Sequence, residues 1–237
     1  FAELGANVVL VSRNLGKLNS RLKELKNNGR QNHQVLALDY TNHIDLENLL
    51  KDFVANNDIA FDVIINNTGG PAGGKLEIAD SSELVNAYSM HLISFHMILS
   101  VVLDGMKSRD YGRIINIIST SVKQPLNGLG VSNTVRGAVA NWGKTLANEL
   151  GAYNITVNNV LPGATNTGRL NEIIKAKSNK LNKSEEVIAN EMANEAEKRR
   201  PRRLGDAVIV PAACARCSCT GGAPTRSPPR SARVCRA

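Results

Sequence analysis

The sequence predicts an α/β protein built on a doubly wound parallel sheet, and three observations lead to that prediction. Five short runs rich in Val and Ile, each bounded by turn residues, are typical of strands buried on both faces of a parallel sheet. Segments with apolar residues at helical spacing lie between these runs. This alternation favours right-handed crossovers. With 237 residues, a single domain is the simplest expectation.

The predicted elements follow in chain order. Phe1–Ala6 matches the last turn of a helix that ends at Gly5. The predicted strands are Asn7–Ser12, Gln34–Asp39, Asp62–Asn66, Arg113–Ile118 and Ile155–Leu161. The predicted helices are Leu15–Leu25, Leu46–Val54, Ser82–Met106, Asn133–Leu150, Leu170–Lys177, and one that Ser184 caps and that runs to about Lys198.

The last segment, residues 199–237, differs from the rest in composition. The net charge of +8 arises there, from nine arginines against one aspartate, and all four cysteines lie there as well. We therefore predict a domain over 1–198 and a tail that is either disordered or translated out of frame. The spacing of Cys214, Cys217 and Cys219 lacks the second pair of a credible zinc site, so no metal site is predicted. No nucleic-acid partner is expected, although an RNA-binding tail remains an alternative.

Three polar segments follow predicted strands. Asn66-Asn67-Thr68-Gly69-Gly70 ends the third strand, Ser119 follows the fourth, and Pro162-Gly163-Ala164-Thr165-Asn166-Thr167 ends the fifth. In order and spacing they resemble the short-chain dehydrogenase/reductase family, over roughly residues 1–198. The resemblance implies a Rossmann-like doubly wound sheet, a nicotinamide dinucleotide cofactor and a small-molecule carbonyl or alcohol substrate.

The catalytic positions that the resemblance implies are altered. In the family, a Tyr follows the Ser by 13 residues and donates a proton, and a Lys four residues later lowers the pKa of the Tyr and holds the ribose. Here Ser119 is retained, Ser132 stands at the Tyr position and Arg136 at the Lys position. An alkyl hydroxyl is a much weaker acid than a phenol, so Ser132 cannot replace Tyr in kind. The chain is similar to a divergent Tyr-less branch whose members are 3-oxoacyl-acyl-carrier-protein reductase-like.

Two readings of the altered site stay open. His91 stands at the family's relay position and could act as a general acid, because imidazole titrates near neutrality. Alternatively, His91 only packs in its helix, and the chain is a catalytically inert dinucleotide-binding sensor or partner module. Whether the chain is an enzyme is therefore left open. The catalytic candidates are Ser119, His91, Ser132 and Arg136.

The cofactor positions favour NADP(H) over NAD(H). Arg13 follows the first strand, where NAD-binding members usually carry an acid, and a guanidinium can pair with a 2′-phosphate. Asp39 matches a residue near the adenine. The other implied cofactor contacts are Asn66, Thr68, Gly69, Arg136, Pro162, Gly163, Thr165 and Thr167, and the helices at about 168–198 correspond to a substrate lid.

Two parts of the family pattern are absent from the sequence. The first strand and its T-G-x-x-x-G-I-G loop do not occur, so the strands at Asn7–Ser12 and Asp62–Asn66 are expected to face a gap. The last strand is expected to be replaced by the Arg/Cys tail. We thus expect a fragment, truncated at its N-terminus, that binds cofactor weakly or not at all. The resemblance implies a homodimeric or homotetrameric parent; no membrane span and a cytoplasmic location are expected.

Overall fold

The computed structural model describes residues 1–163, 168–198 and 207–211. The strands are β1 (Val9–Ser12), β2 (Gln34–Ala37), β3 (Val63–Asn66), β4 (Gly112–Ile117), β5 (Ile155–Pro162) and β6 (Ala207–Pro211). The α-helices are α1 (Leu15–Glu24), α2 (His43–Asn57), α3 (Ser81–Tyr88), α4 (Ser94–Ser108), α5 (Gly130–Leu150), α6 (Gly168–Leu181) and α7 (Glu185–Lys198). Each predicted strand is present, and so is each predicted helix except that Ser82–Met106 is divided, with ends that differ from the prediction by a few residues.

The strands form two parallel groups. β1 pairs with β2 in a two-stranded sheet, and β3, β4 and β5 are consecutive parallel neighbours in a second sheet. Because successive parallel strands are joined through helices, the predicted doubly wound α/β class is confirmed. Gly5, at φ +90°, ends a 3₁₀ turn over Ala2–Leu4, as predicted for a helix terminus.

A cleft of about 1050 Å³ separates the two sheets. It is lined on one side by residues 8–11, which include most of β1, and on the other by residues 62–66, which include β3. Val11 on β1 is 36% exposed and Ile65 on β3 is 46% exposed, although both belong to apolar strands. The gap predicted between these two strands is therefore present, and one edge of each strand has no strand beside it within the described residues.

The best-buried part of the molecule lies around β4 and β5. Ile114 and Val157 are fully buried there, between α4 and α5, and Met106 of α4 packs against them. The helical stretch Ser81–Ser108 spans 28 residues and is long and apolar enough to cross a membrane by length and composition alone. Its inward side chains belong to this core, so we interpret it as the core helix of an α/β domain.

Two predictions about elements are wrong in detail. The predicted single helix Ser82–Met106 is interrupted by a π-helical turn at Ser89–Ile93. A strand, β6, lies within the segment predicted to lack regular structure, and it pairs antiparallel with β5. Its sequence, Ala-Val-Ile-Val-Pro, is an apolar β-branched run, a strand signal that the arginine-rich surroundings obscured. The rest of that segment, including the four cysteines, lies outside the described residues.

Candidate functional site

A ladder of three buried asparagines crosses the sheet where the predicted site residues begin. Asn66 of β3, Asn116 of β4 and Asn159 of β5 are register partners on adjacent strands and are at most 4% exposed. Asn66 Nδ2 donates to Asn116 Oδ1 at 2.8 Å, and Asn116 Nδ2 donates to Asn159 Oδ1 at 3.0 Å. Asn159 Nδ2 then donates to the Ala140 carbonyl in α5 at 3.2 Å. The ladder fixes the relative positions of the three strands from which the site loops leave.

Helix α5 is shaped to lie against this ladder. A Cβ placed on Gly143 would lie 3.0 Å from Asn116 Nδ2 and 3.0 Å from Asn159 Oδ1. Only glycine therefore lets the helix approach the asparagines without displacing them. Ser132 and Arg136 also lie on α5, so both candidates belong to the helix that packs on the ladder.

The turn after β3 is held by a buried histidine. Thr68 Oγ1 lies 2.6 Å from His91 Nδ1, and His91, in the π-helical turn, is 2% exposed. The ring of Phe95 packs edge-on against the imidazole, with centroids 6.3 Å apart. From another direction, His43 Nε2 lies 3.1 Å from the Ser89 carbonyl oxygen of the same turn. The structure thus joins two predicted residues, Thr68 and His91, through one short contact.

Ser119 lies at the carboxyl end of β4 and caps a 3₁₀ turn over Thr120–Val122. Its Oγ accepts a hydrogen bond from the Ser121 amide at 3.1 Å, and the residue is half-buried. Accepting this bond leaves the hydroxyl proton of Ser119 available to donate to another oxygen. A hydroxyl at the end of a parallel strand is well placed for ligand contact.

Arg136 is directed at the end of β4. Its Nη1 donates to the carbonyl oxygens of Ile117 and Ile118, each at 3.1 Å. The guanidinium therefore holds the two residues that precede Ser119, which is a structural task in addition to the predicted ribose contact. Ser132 lies one turn earlier on α5 and is half-buried.

Backbone hydrogen bonds join the loop after β3 to the loop before α5. Gly74 N donates to the Gly128 carbonyl at 2.8 Å, and Gly130 N donates to the Gly74 carbonyl at 2.9 Å, which makes an isolated parallel bridge between Gly74 and Leu129. A Cβ on Gly130 would lie 2.5 Å from the Leu76 amide nitrogen. The approach therefore requires glycine, two residues before Ser132.

Arg13 and Asp39 follow β1 and β2, on the other side of the cleft. Asp39 Oδ1 accepts hydrogen bonds from Thr41 Oγ1 at 2.7 Å and from the Thr41 amide at 2.9 Å. These two bonds, and the nearby charge of Arg13, hold the pKa of the Asp39 carboxyl below its usual value. The parallel pairing of β1 with β2 thus brings the two predicted adenosine-side residues together.

The remaining cofactor candidates lie at and after the end of β5, and the structure describes two of them. Pro162 is the last residue of that strand and Gly163, which is exposed, follows it. Thr165 and Thr167 lie outside the described residues. Among the described residues, no three His, Cys, Asp or Glu side chains cluster as a metal site would require.

Sequence reasoning missed Asn116, Asn159, Gly143 and the Gly74–Leu129 bridge. A signal for the ladder was available, because Asn116 and Asn159 are polar residues inside apolar runs. A buried polar side chain needs a partner, and a neighbouring strand is the nearest source of one. Nothing in the sequence indicated the bridge, which depends on the folding of two separate loops.

Comparison with known proteins identifies the family. Residues 1–178 match the family model for short chain dehydrogenases. The chain belongs to this family. It is 27% identical over 216 residues to an uncharacterized oxidoreductase of Mycobacterium tuberculosis, covering 90% of this chain and 76% of that protein. It is 28% identical over 133 residues to the NADPH-dependent reductase BacG of Bacillus subtilis, covering 54% of this chain and 51% of that protein. The chain thus spans between about half and three quarters of the length of these two relatives.

Solved structures of other proteins share the fold. The NADPH-dependent reductase YwfH, described as involved in bacilysin biosynthesis, superposes with a TM-score of 0.70 at 23% identity, over 76% of this chain and 70% of that chain. An NAD⁺-bound xylitol dehydrogenase superposes with a TM-score of 0.73 at 21% identity, over 82% of this chain and 76% of that chain. At these identities the likeness shows the fold alone.

The described residues of this chain fit part of a nicotinamide dinucleotide, the cofactor class of the family. Arg13 and Asp39 offer a charge and a hydrogen-bond acceptor at the ends of β1 and β2, and the exposed Gly69 offers open backbone after β3. A Cβ on Gly69 would meet no atom within 4 Å, so this turn lies open on one side. The pyrophosphate-binding glycine loop of the family is not part of the sequence.

Proposed function

We propose for this chain the function of an NADP(H)-dependent oxidoreductase of the Tyr-less branch, acting on a small-molecule carbonyl or alcohol and 3-oxoacyl-acyl-carrier-protein reductase-like. The observation that carries the proposal is the arrangement at the carboxyl ends of three adjacent parallel strands. The Thr68–Gly69 turn follows β3, Ser119 follows β4, and Pro162 ends β5 with Gly163 directly after it, while Arg136 holds the end of β4. Ligands of open α/β sheets bind at this edge.

The preference for the phosphorylated cofactor rests on Arg13. It lies directly after β1, close enough to lower the pKa of Asp39. A 2′-phosphate at this point would gain a charge-assisted contact from the guanidinium, which a plain ribose would not use. The relative from Bacillus subtilis named as an NADPH-dependent reductase agrees with this choice.

The chemistry assigned to the chain's own residues follows from their contacts. When bound, the reduced nicotinamide supplies hydride to a carbonyl carbon. Ser119 orients the carbonyl oxygen by donating its hydroxyl proton in a hydrogen bond. His91 is the proposed proton source, and because its side chain is 2% exposed, the proton reaches the site through the hydroxyl of Thr68. Arg136 keeps a positive charge beside the strand end, where it stabilises developing negative charge on oxygen.

We propose that the cleft between β1 and β3 must be filled for the protein to be active. We propose that a sixth parallel strand, followed by a glycine loop, occupies it in the active protein, because the strands on both sides of the cleft leave an edge without a neighbouring strand among the described residues and carry exposed apolar side chains. We place this protein in the cytoplasm, as a homodimer or homotetramer, on the family resemblance.

Cofactor titration tests the proposal. The chain is extended ahead of Phe1 by the first strand and glycine loop of a relative, and NADPH and NADH are titrated against its fluorescence. We expect NADPH to bind at least about tenfold more tightly than NADH, and Arg13→Glu to remove that preference. Arg21→Glu, on the exposed face of α1, is the matched control. An extended chain that shows no response to millimolar NADPH would refute the proposal.

A second candidate is an inert dinucleotide-binding module. It is favoured by the two bonds from Arg136 to backbone carbonyls, since a guanidinium engaged in this way serves the strand end. Consumption of NADPH with any ketone by the extended chain would exclude this candidate. Retained binding without turnover across a ketone panel would support it.

A further inference from the structure

We infer that Thr68 and His91 form a positioning pair that fixes the glycine turn after β3 in the shape in which it meets a ligand. This inference concerns the cofactor turn of the site and rests on the proposed function. It assigns a task to the contact between the two side chains, separate from any proton transfer by His91.

The turn is anchored at its start and at its middle. At the start, Asn66 is 4% exposed and its side chain is tied to Asn116 in the asparagine ladder. Two residues later, the Thr68 hydroxyl lies 2.6 Å from His91 Nδ1. Asn67 and Gly69, between and beyond these anchors, are exposed. Two fixed points within three residues leave the exposed backbone few conformations to lose on binding, which is how preorganisation raises affinity.

The partner of Thr68 is itself held by several contacts. His91 is buried, and the ring of Phe95, 1% exposed, packs edge-on against it. The π-helical turn that carries His91 is held by side chains from outside and inside the helix. His43 of α2 reaches the Ser89 carbonyl at 3.1 Å, and the Ser94 hydroxyl donates to the Met90 carbonyl at 2.6 Å. Thr68 therefore contacts a side chain that is itself buried and packed on several sides.

The side-chain chemistry required at the two positions is narrow. Position 68 needs a hydroxyl on a short side chain, which Ser also provides and Val lacks at the same size. Position 91 needs a polar atom at the place of Nδ1, which the Asn side chain provides and Leu lacks. These substitutions separate the hydrogen bond from side-chain volume, and His91→Asn also separates positioning from titration.

Hydrogen exchange on the 237-residue chain tests the inference without cofactor. We expect Thr68→Val to speed exchange of the amides of Asn67, Thr68, Gly69 and Gly70 by about tenfold, because one hydrogen bond no longer restrains the turn. Thr68→Ser should restore the exchange rates of the unaltered chain. Thr145→Val is the matched control, because the Thr145 hydroxyl bonds the Asn141 carbonyl within α5 at 3.2 Å.

The second position completes the test. His91→Asn should leave exchange in the turn within about threefold of the unaltered chain, and His91→Leu should speed it as Thr68→Val does. The double variant Thr68→Val with His91→Leu should add little to either single change, because the two residues act through one contact. Urea unfolding of every variant shows whether the change is confined to the turn or reflects global opening.

The outcomes separate this inference from the proposed function. Unchanged exchange in Thr68→Val, or failure of Thr68→Ser to restore slow exchange, overturns the positioning pair. So does acceleration spread evenly over all strands, because that marks a loss of global stability. Failure of the extended chain to bind NADPH overturns the proposed function and leaves the exchange result standing.

Discussion

The two sheets of this molecule are built from the same kind of sequence and differ in what surrounds them. β3, β4 and β5 carry apolar runs tied by three asparagines, and Ile114 and Val157 at their centre are fully buried. β1 and β2 carry similar runs, but none of the residues of β1 is classed as buried. A strand of a parallel sheet is buried by neighbours on both sides and both faces. An apolar run is thus enough to form a strand, and the strands and helices beside it determine how much that strand contributes to stability.

The largest difference in the free energy of unfolding is expected between truncating an isoleucine in the core and truncating one at the cleft. Ile114→Ala, in the core of β4, should lower the free energy of unfolding by about 2–5 kcal/mol, because a fully buried side chain leaves a cavity. Ile65→Ala, facing the cleft on β3 and 46% exposed, should lower it by about 1 kcal/mol or less. Urea denaturation measures both. Equal losses would mean that the cleft is closed in solution.

Breaking the asparagine ladder at its centre should have the next largest effect. Asn116→Leu leaves Asn66 Nδ2 and Asn159 Oδ1 buried without their partners, which should reduce the free energy of unfolding by about 2–3 kcal/mol. Asn158→Leu is the control on β5, because its side-chain amide donates a hydrogen bond to the Thr156 hydroxyl near the surface. Denaturation curves that match for the two variants would show that the ladder does not stabilise the larger sheet.

Two glycines of α5 should respond in opposite directions. Gly143→Ala places a methyl group 3.0 Å from two ladder atoms, and we expect a loss of about 1–2 kcal/mol. Gly137→Ala meets no atom within 4 Å and should gain up to about 1 kcal/mol through helix propensity. Thermal unfolding of the pair compares the packed and open faces of one helix. A gain in both would contradict the close approach of α5 to the ladder.

The smallest effect is expected beside the two-stranded sheet, at Asp39. Hydrogen bonds from Thr41 and the charge of Arg13 lower its pKa in the folded state. A group with a lowered folded pKa stabilises the fold above its usual pKa, near 3.8, and this contribution disappears as the pH falls through the folded pKa. Asp39→Asn should therefore unfold slightly more easily at neutral pH, with the difference shrinking under acid. Asp52→Asn, on the exposed part of α2, is the control for the titration of urea midpoints.

The sequence was sufficient for the fold class, for the strands and for all but one of the helices over residues 1–198. Runs such as Ile114–Ile118 and the Leu stripe from Leu15 to Leu25 are local signals, and local signals predict local elements. The gap between β1 and β3 was also predictable, because the family order of strands has a member that this sequence lacks. The π-helical turn was not predictable, because an inserted residue leaves the apolar spacing on either side nearly intact.

The site was predictable as a set of positions and less so as a set of contacts. Thr68 and His91 were each named from motifs, and their 2.6 Å contact depends on how α3 and α4 pack over the sheet. Arg136 was expected to face a ribose, and in the structure it also binds the Ile117 and Ile118 carbonyls. Polar side chains at a site also form hydrogen bonds to buried groups of the protein itself, and sequence spacing does not reveal these bonds.

Because of the π-helical turn at Ser89–Ile93, the number of residues between α3 and α4 affects the geometry of the site. One residue added to a helix rotates everything after it by about 100°, so the turn sets which face of α4 meets the sheet relative to α3. Removing a single residue of this turn would rotate α4 relative to α3 and so change how the turn presents His91 to Thr68. Insertions and deletions between α3 and α4 therefore carry as much functional information as substitutions do. Two proteins with the same residues at these motifs and different spacing between them would present different surfaces to the same ligand.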